Sequence, residues 1–365
     1  MDVKRYRGRE NLKGEKGMSF AYVGCRTTKE RNARGKGIKV FEIADKTGEW
    51  TEKQCLKTEE NPSYLAFDNE ENYLYSVHGD LTSVSSYKVK EDGTLSFLNQ
   101  IEIGGKNPVY LTVDKTNHWL IVATLQGGTV YSIELKDNGE LGEIKDRFVF
   151  EGKNEGQISF VHQCIWDNTK SYIFAPAQGR DQGYGQIRVL KFDSETGLFT
   201  ETCKVMAQEK EEPRHVAVHP NNRFVYMINE KGNSVEYFSF DEKTGILESR
   251  QKVSTLPDTY MGAGQASTVA IDETGKYLIG SNRTFDALVW YRIDEKTGYL
   301  KTIGFTSTIG KTPRFMGFNK TKDKLYVANE DSDTIIEMQF DKQRELVECT
   351  GRIIKTESPV CIVFR

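Results

Sequence analysis

Residues 212–227 read EPRHVAVHPNNRFVYM. A proline opens a run of alternating apolar residues, a polar turn follows, and an aromatic-aliphatic run closes the phrase. The phrase returns as NPSYLAFDNEENYLYS (61–76), NPVYLTVDKTNHWLIV (107–122), QASTVAIDETGKYLIG (265–280) and TPRFMGFNKTKDKLYV (312–327). Its register position falls at Pro62, Pro108, Val161, Pro213, Ala266, Pro313 and Pro359, at intervals of 46, 53, 52, 53, 47 and 46 residues. A period in this range, densely filled with short strands, predicts the blades of a β-propeller.

Each repeat divides into four strands. Strand a follows the register position, and strand b is the aromatic-aliphatic run. Strand c reads like VEYFSFD or LVWYRID, with a period-2 alternation at Val235, Tyr237 and Ser239 that predicts a half-buried strand. Strand d follows turns such as DEKTGIL, DEKTGYL, SETGLF and EDGTL, whose glycines supply positive φ. Seven b strands and seven c strands can be counted. The seventh a strand, PVCIVF, stands at residues 359–364, while the first blade, opening at Phe20, has none of its own. The expected fold is therefore an all-β, seven-bladed propeller, closed by the C-terminal strand pairing into the N-terminal blade. Such closure removes exposed sheet edges.

The totals fit this picture. A chain of 365 residues suggests two or three domains by length, but the repeat makes residues 18–365 one propeller domain. Residues 1–17 read as a solvated basic extension with no apolar segment behind it, unlike a secretory signal. A net charge of −3 argues against a nucleic-acid partner, and no apolar run is long enough to span a bilayer. The six cysteines show no metal-ligand spacing, so no metal or other cofactor is expected. A cytoplasmic setting with reduced thiols is the expectation. Oligomeric state is not legible here.

Strands a and b are antiparallel neighbours, so the start of a and the end of b share one face of the disc. Just after the register position the copies carry Ser63, Val109, His162, Arg214, Ser267, Arg314 and Val360. The b strands end at Cys25, His78, Thr124, Ala177, Asn229, Asn282 and Asn329, followed by Arg26, Gly79, Leu125, Gln178, Glu230, Arg283 and Glu330. One channel mouth is thus expected to collect Arg26, Arg214, Arg283, Arg314, His162, Glu230 and Glu330. Arg180 and Asp181 join through the loop QGRDQGYG. Guanidinium groups in a net-negative protein form a focused positive field suited to carboxylate or phosphate.

A plainer reading is open at each position. The arginines could pair with Glu230, Glu330 and Asp181 and join blades. Asn229, Asn282 and Asn329 recur at one position and could cap the b–c turns. His162 could be a hydrogen-bonded core histidine. His215 and His219 read as structural, His118 as a surface residue and Cys164 as a buried inert thiol. No phosphate loop, HExxH or GxSxG competes.

The segments YVGCRTTKERNARGKGIKVFEI, EPRHVAVHP followed by NE, SNRTFDALVWY, KTPRFMGF, NEDSDTI and ESPVCIVF together resemble the seven-bladed propeller lactonase family. That family includes propeller-type 6-phosphogluconolactonases and a carboxy-muconate cyclase. The resemblance runs from about Phe20 onward. It implies a catalytic set of His162, Arg214, Glu230 and Arg283. Many members carry a second histidine where this chain has Cys164, and an aspartate where it has Ala177. The implied activity is hydrolysis of a sugar-acid lactone, with Glu230 preferred over His162 as base and a small anionic lactone as partner. Arg180, Asp181, Asn229, Asn282, Arg314, Asn329 and Glu330 are the expected substrate-binding residues. A lactonising cyclase of the carboxy-muconate type, or a non-catalytic propeller scaffold or ligand sensor, are the alternatives.

Overall fold

The computed structural model describes residues 19–341 and 344–365; the extension expected at 1–17 lies outside the described residues. Seven antiparallel sheets follow one another around a ring. Blade 1 takes its innermost strand from the other end of the chain: Pro359–Phe364 pairs with Ser19–Cys25, matching Ala21 with Phe364 and Cys25 with Pro359. The closure expected from the missing first a strand is present.

The register expected from the repeat is also present, copy by copy. Pro62 lies opposite His78, Pro108 opposite Thr124, and Val161 opposite Ala177. Pro213 faces Asn229, Ala266 faces Asn282, and Pro313 faces Asn329. Immediately after the register position the ladder slips. Pro213 and His215 pair with consecutive residues of strand b, which leaves Arg214 as the extra residue of a β-bulge. Ser63, Val109, Arg314 and Val360 occupy the same place in their blades. A bulge re-aims side chains that regular pleating would send to opposite faces.

Blade 4 departs from the pattern. Its inner strand breaks into Phe160–Val161 and Ile165–Trp166, with His162, Gln163 and Cys164 between them. Opposite the break, strand b carries Pro176, which has no N–H to give a neighbour. Its carbonyl accepts the backbone N–H of His162 at 3.0 Å.

Two conserved features of the phrase have local causes. The acidic residue after strand a ties the a–b turn: Asp68, Asp114, Asp167 and Asp272 accept the N–H of Tyr73, Trp119, Tyr172 and Tyr277 at 2.7–3.0 Å. His219 does the same work with Nδ1, accepting from Asn221 at 3.1 Å, in keeping with a structural role. The c–d turn glycines have φ near +74° to +81° at Gly93, Gly197, Gly245 and Gly298. There the missing Cβ also leaves room for an aromatic ring of the preceding blade: Phe20, Trp119, Tyr172 and Tyr237 sit in those places. Tyr22 and Tyr226 donate to the Gly93 and Gly298 carbonyls at 2.7 Å.

The half-buried strand c does not hold. Val235, Glu236, Tyr237 and Phe238 are all buried or nearly so, because each middle strand is covered by a neighbouring blade on both sides. Alternation appears instead in the outer strands, such as Ile246–Ser254. Removing residues 358–365 would leave Tyr22 and Val23 on an open edge and uncover the core around Cys361 and Ile362. We expect such a truncation to lose cooperative unfolding, as read by calorimetry; a melting transition equal to that of the full chain would refute the closure's structural role.

Candidate functional site

In six blades the bulge, and in blade 4 the break at His162 and Gln163, sends two successive residues of the inner strand toward the axis. The lower tier holds Tyr64, Tyr110, Gln163, His215, Thr268, Phe315 and Cys361. Tyr64 meets Tyr110 at 4.3 Å between ring centres and Phe315 at 6.2 Å, while Tyr110 meets His215 at 6.2 Å. Gln163 accepts the N–H of Val216 at 2.6 Å, and His215 contacts Thr268 Oγ1 at 3.3 Å. These side chains meet one another beneath the charged residues of an upper tier.

That upper tier and the adjacent b-strand ends carry the charge. Glu230 is the centre of one group. Arg283 Nη2 lies 3.1 Å from its Oε1 and Arg214 Nε 3.4 Å from its Oε2. Gln265 and Gln178 donate to the two carboxylate oxygens at 2.8 and 3.0 Å. The two arginines hold the Glu230 carboxyl far below the usual range despite burial that pushes the other way. It is ionised at any working pH and is a feeble proton acceptor.

The arginines are not saturated by this. The Arg214–Glu230 contact is too poorly aligned for a hydrogen bond, and Arg214 Nε and Arg283 Nε are buried without a hydrogen-bonding partner. Arg214 also donates to the Ser267 carbonyl, and Arg283 to that of Ala266 at 3.3 Å. Burial, reinforced by their mutual repulsion, depresses the Arg214 pKa. His162 is 6 % exposed, and its Nδ1 has no partner. Its ring stands 5.3 Å from that of His215. Burial first, then the positive field of Arg214 and Arg314, push its pKa well below that of a free imidazole. His162 is therefore a neutral imidazole at pH 7.

The other expected residues divide into two sets. Arg314 pairs with Glu330 at 3.4 Å, and Arg26 with Asp80 at 3.4 Å, at the same mouth. Arg180 donates to Gln178 Oε1 at 3.1 Å and stacks over Phe160 at 4.6 Å, so it reaches the Glu230 group through one amide. With exposed Asp181 it borders an open cleft of about 800 Å³ that also touches Tyr184, Glu212 and Lys231. The three asparagines tie strand ends within and between blades, and the Oδ1 atoms of Asn229 and Asn329 are buried without a partner. Asn229 donates to Ser234 Oγ at 3.0 Å and Asn329 to the Thr308 carbonyl at 2.9 Å. Asn282 accepts from the Gln265 and Phe285 N–H groups at 2.9 and 3.2 Å. Cys164 is buried, its thiol pKa raised by that burial.

Asp80 and Gln265 were not among the expected residues. A signal existed for Gln265: it occupies the column before the register position, beside Asn61, Asn107, Glu212 and Thr312. Asp80 follows Gly79, one place beyond the aligned b-strand ends. Among the described residues no three His, Cys, Asp or Glu side chains converge as a metal site would require.

His162 and His215 are both held neutral by burial and nearby arginines. The unfolded chain binds their protons near pH 6.5 and the folded chain does not, so stability falls as pH drops below about 6.5. Melting temperatures between pH 7 and pH 5 should decline less steeply for His162→Gln than for the parent chain. Equal slopes would show that His162 titrates normally in the fold.

The family described as "Lactonase, 7-bladed beta-propeller" matches residues 20–364. A 6-phosphogluconolactonase of Bacillus subtilis (strain 168) is 25 % identical over 351 residues, covering 94 % of this chain and 98 % of that one. A 6-phosphogluconolactonase of Formosa agariphila is 27 % identical, over 92 % of this chain and 94 % of its own. The solved periplasmic gluconolactonase of Pseudomonas aeruginosa superposes with a TM-score of 0.84 at 23 % identity, covering 95 % of this chain and 99 % of that one. With a match that spans every blade, the chain belongs to the seven-bladed β-propeller lactonase family.

Proposed function

We propose that the chain hydrolyses a sugar-acid lactone, with 6-phosphogluconolactone the first candidate. The observation that carries this reading is a set of buried nitrogens around one ionised carboxylate: His162 Nδ1 and Arg283 Nε have no hydrogen-bonding partner, and Arg214 Nε meets Glu230 only in a poorly aligned contact at 3.4 Å. A purely structural role explains Glu230, which braces blades 4, 5 and 6 through four side chains. It leaves those spare nitrogens without a purpose. Buried polar groups of this kind are seldom left unmet.

Glu230 is occupied by four partners, so the acid–base role falls to His162, whose Nδ1 is free; its depressed pKa makes it a modest base, and its protonated form a ready acid toward the leaving alkoxide. Neutral His162 accepts a proton from water as the water oxygen bonds to the lactone carbonyl carbon. The carbonyl oxygen becomes an oxyanion, met by the guanidinium groups of Arg214 and Arg283. Collapse breaks the ring C–O bond, and the leaving alkoxide takes the proton back from His162. The product is the open hydroxy acid, and every proton is accounted for. Glu230 keeps the two arginines in place and offsets their charge. Arg180, Asp181, Arg314 and Glu330 border the substrate, and Asn229, Asn282 and Asn329 support the site as braces of the blade ends. Six unpaired cysteines are compatible with a reducing, cytoplasmic setting.

Fresh lactones, phosphorylated and not, should be followed by proton release with a chelator present. Wild type should exceed the spontaneous rate, and Arg214→Met should lose about 100- to 1000-fold in kcat, the usual effect of removing an oxyanion donor. His162→Gln should lose about 100-fold or more. With wild type active, kcat/KM should stay level from pH 8 through pH 6.5, because His162 is neutral across that window. No acceleration of any lactone would end the hydrolase reading for that panel, and an inflection near pH 6.5 would refute the environment assigned to His162.

A further inference from the structure

The mouth is built from two unlike halves. Blades 4, 5 and 6 supply His162, Arg214, Glu230 and Arg283. Across from them, blades 7, 1 and 2 supply Arg314, Arg26 and Ser63, with Gly79 beside them. This second half has cations and a hydroxyl, and of these the reading above gives only Arg314 a place, at the border of the substrate.

Arg26 is 3 % exposed, and its Nε has no hydrogen-bonding partner. Its one acidic contact is Asp80, 3.4 Å from Nη1, and that aspartate is shared with the closer Arg31. Ser63 is buried, and its Oγ also lacks a partner. Arg314 meets Glu330 only at 3.4 Å. Gly79 explains how these groups approach one another. A Cβ built there would fall 2.4 Å from Arg26 Nη1 and 2.8 Å from Ser63 Oγ, so both atoms rest against the bare backbone. Arg26 and Arg314 repel each other, and burial plus that repulsion lower the Arg26 pKa to about 10. Two mutually repelling guanidinium groups, each with its acidic partner at 3.4 Å, form an arrangement that a bound anion would relieve.

We propose that Arg26, Ser63 and Arg314 form a second anion subsite that takes the tail of the substrate, and that the tail is a phosphate monoester. Three donors arriving from three blades match the several oxygens of a phosphate better than the two of a carboxylate. Gly79 sets the selectivity, because any side chain there would displace Arg26. Only the molecule to which the phosphate is attached rests on the lactonase reading; the subsite itself does not.

Two measurements test this. Calorimetric titration with inorganic phosphate should show binding to wild type at least tenfold tighter than acetate. Gly79→Ala and Arg26→Gln should each weaken phosphate about tenfold to 100-fold, the worth of one or two charge-assisted hydrogen bonds. Gly79 does not occupy the positive-φ region, and the atoms its new Cβ would meet belong to movable side chains, so this variant should fold. Thermal melting checks both variants, and Ser63→Ala supplies a third with little steric effect. In kinetics, the ratio of kcat/KM for phosphorylated over unphosphorylated lactone should drop at least tenfold in Gly79→Ala. Phosphate binding no tighter than acetate, or unaltered in folded Gly79→Ala, overturns the subsite. So does an unmoved kinetic ratio. If phosphate binds as expected while no lactone is turned over, the subsite stands and the hydrolase reading falls.

Discussion

The irregularity at the start of each inner strand, a single-residue bulge in six blades and a break in blade 4, is the constraint on which the site depends. In an unbroken strand, Arg214 and His215 would point to opposite faces of the sheet. The slip after Pro213 turns both toward the axis, and its counterparts do so in the other blades. Two tiers of side chains therefore converge on one channel. The lower tier is bulky and largely aromatic. The upper tier, standing on that floor, keeps its charges in a poorly solvated recess where each interaction is stronger than in water.

Such a recess is costly to hold empty. Arg214, Arg283 and Arg26 are each more than nine-tenths buried, and burial opposes the charged form of each. Glu230 offsets the first two. It does so well enough to hold the blades together and too incompletely to satisfy every nitrogen. On the proposed reading, full neutralisation would stabilise the fold at the expense of affinity for an anion, and the spare donors are the compromise. They are preorganised because burial between the blades holds the arginine side chains in place.

Much of this was legible in the sequence, for a physical reason. A repeat fixes relative position without knowledge of the coordinates. Once Pro213 aligns with Pro62, Arg214 must align with Ser63 and Glu230 with Gly79. The alignment thus brought His162, Arg214, Glu230, Arg283 and Arg314 to one mouth, and the structure places them there. Where the alignment was silent, expectation went astray. It assigned strand c one buried face, because a period-2 pattern cannot reveal a second neighbouring blade. The end-of-strand asparagines reach across blade boundaries as well, Asn282 to Asn233 and Asn329 to the Thr308 carbonyl, while the Oδ1 atoms of Asn229 and Asn329 keep no partner. Proton affinity was beyond reach for a different reason. That Glu230 is a poor base follows from four partners arriving from blades 4, 5 and 6, two of them glutamines; the aligned columns bring those residues to one mouth but do not say which of them bond to the carboxylate.

The repeat also accounts for the division of labour around the ring. Seven equivalent positions need no common chemistry, since the backbone that makes the blade does not depend on the side chain of the bulged residue. Blade 3 carries Val109 there and Leu125 at the b-strand end, and brings no charge. On one side of it lie the blades that hold a neutral imidazole, a carboxylate and two guanidinium groups. On the other, past blade 2, lie two more guanidinium groups, each with one acidic partner at 3.4 Å. A reacting ring and a charged tail are different loads, and a closed ring of blades can present each to a different arc.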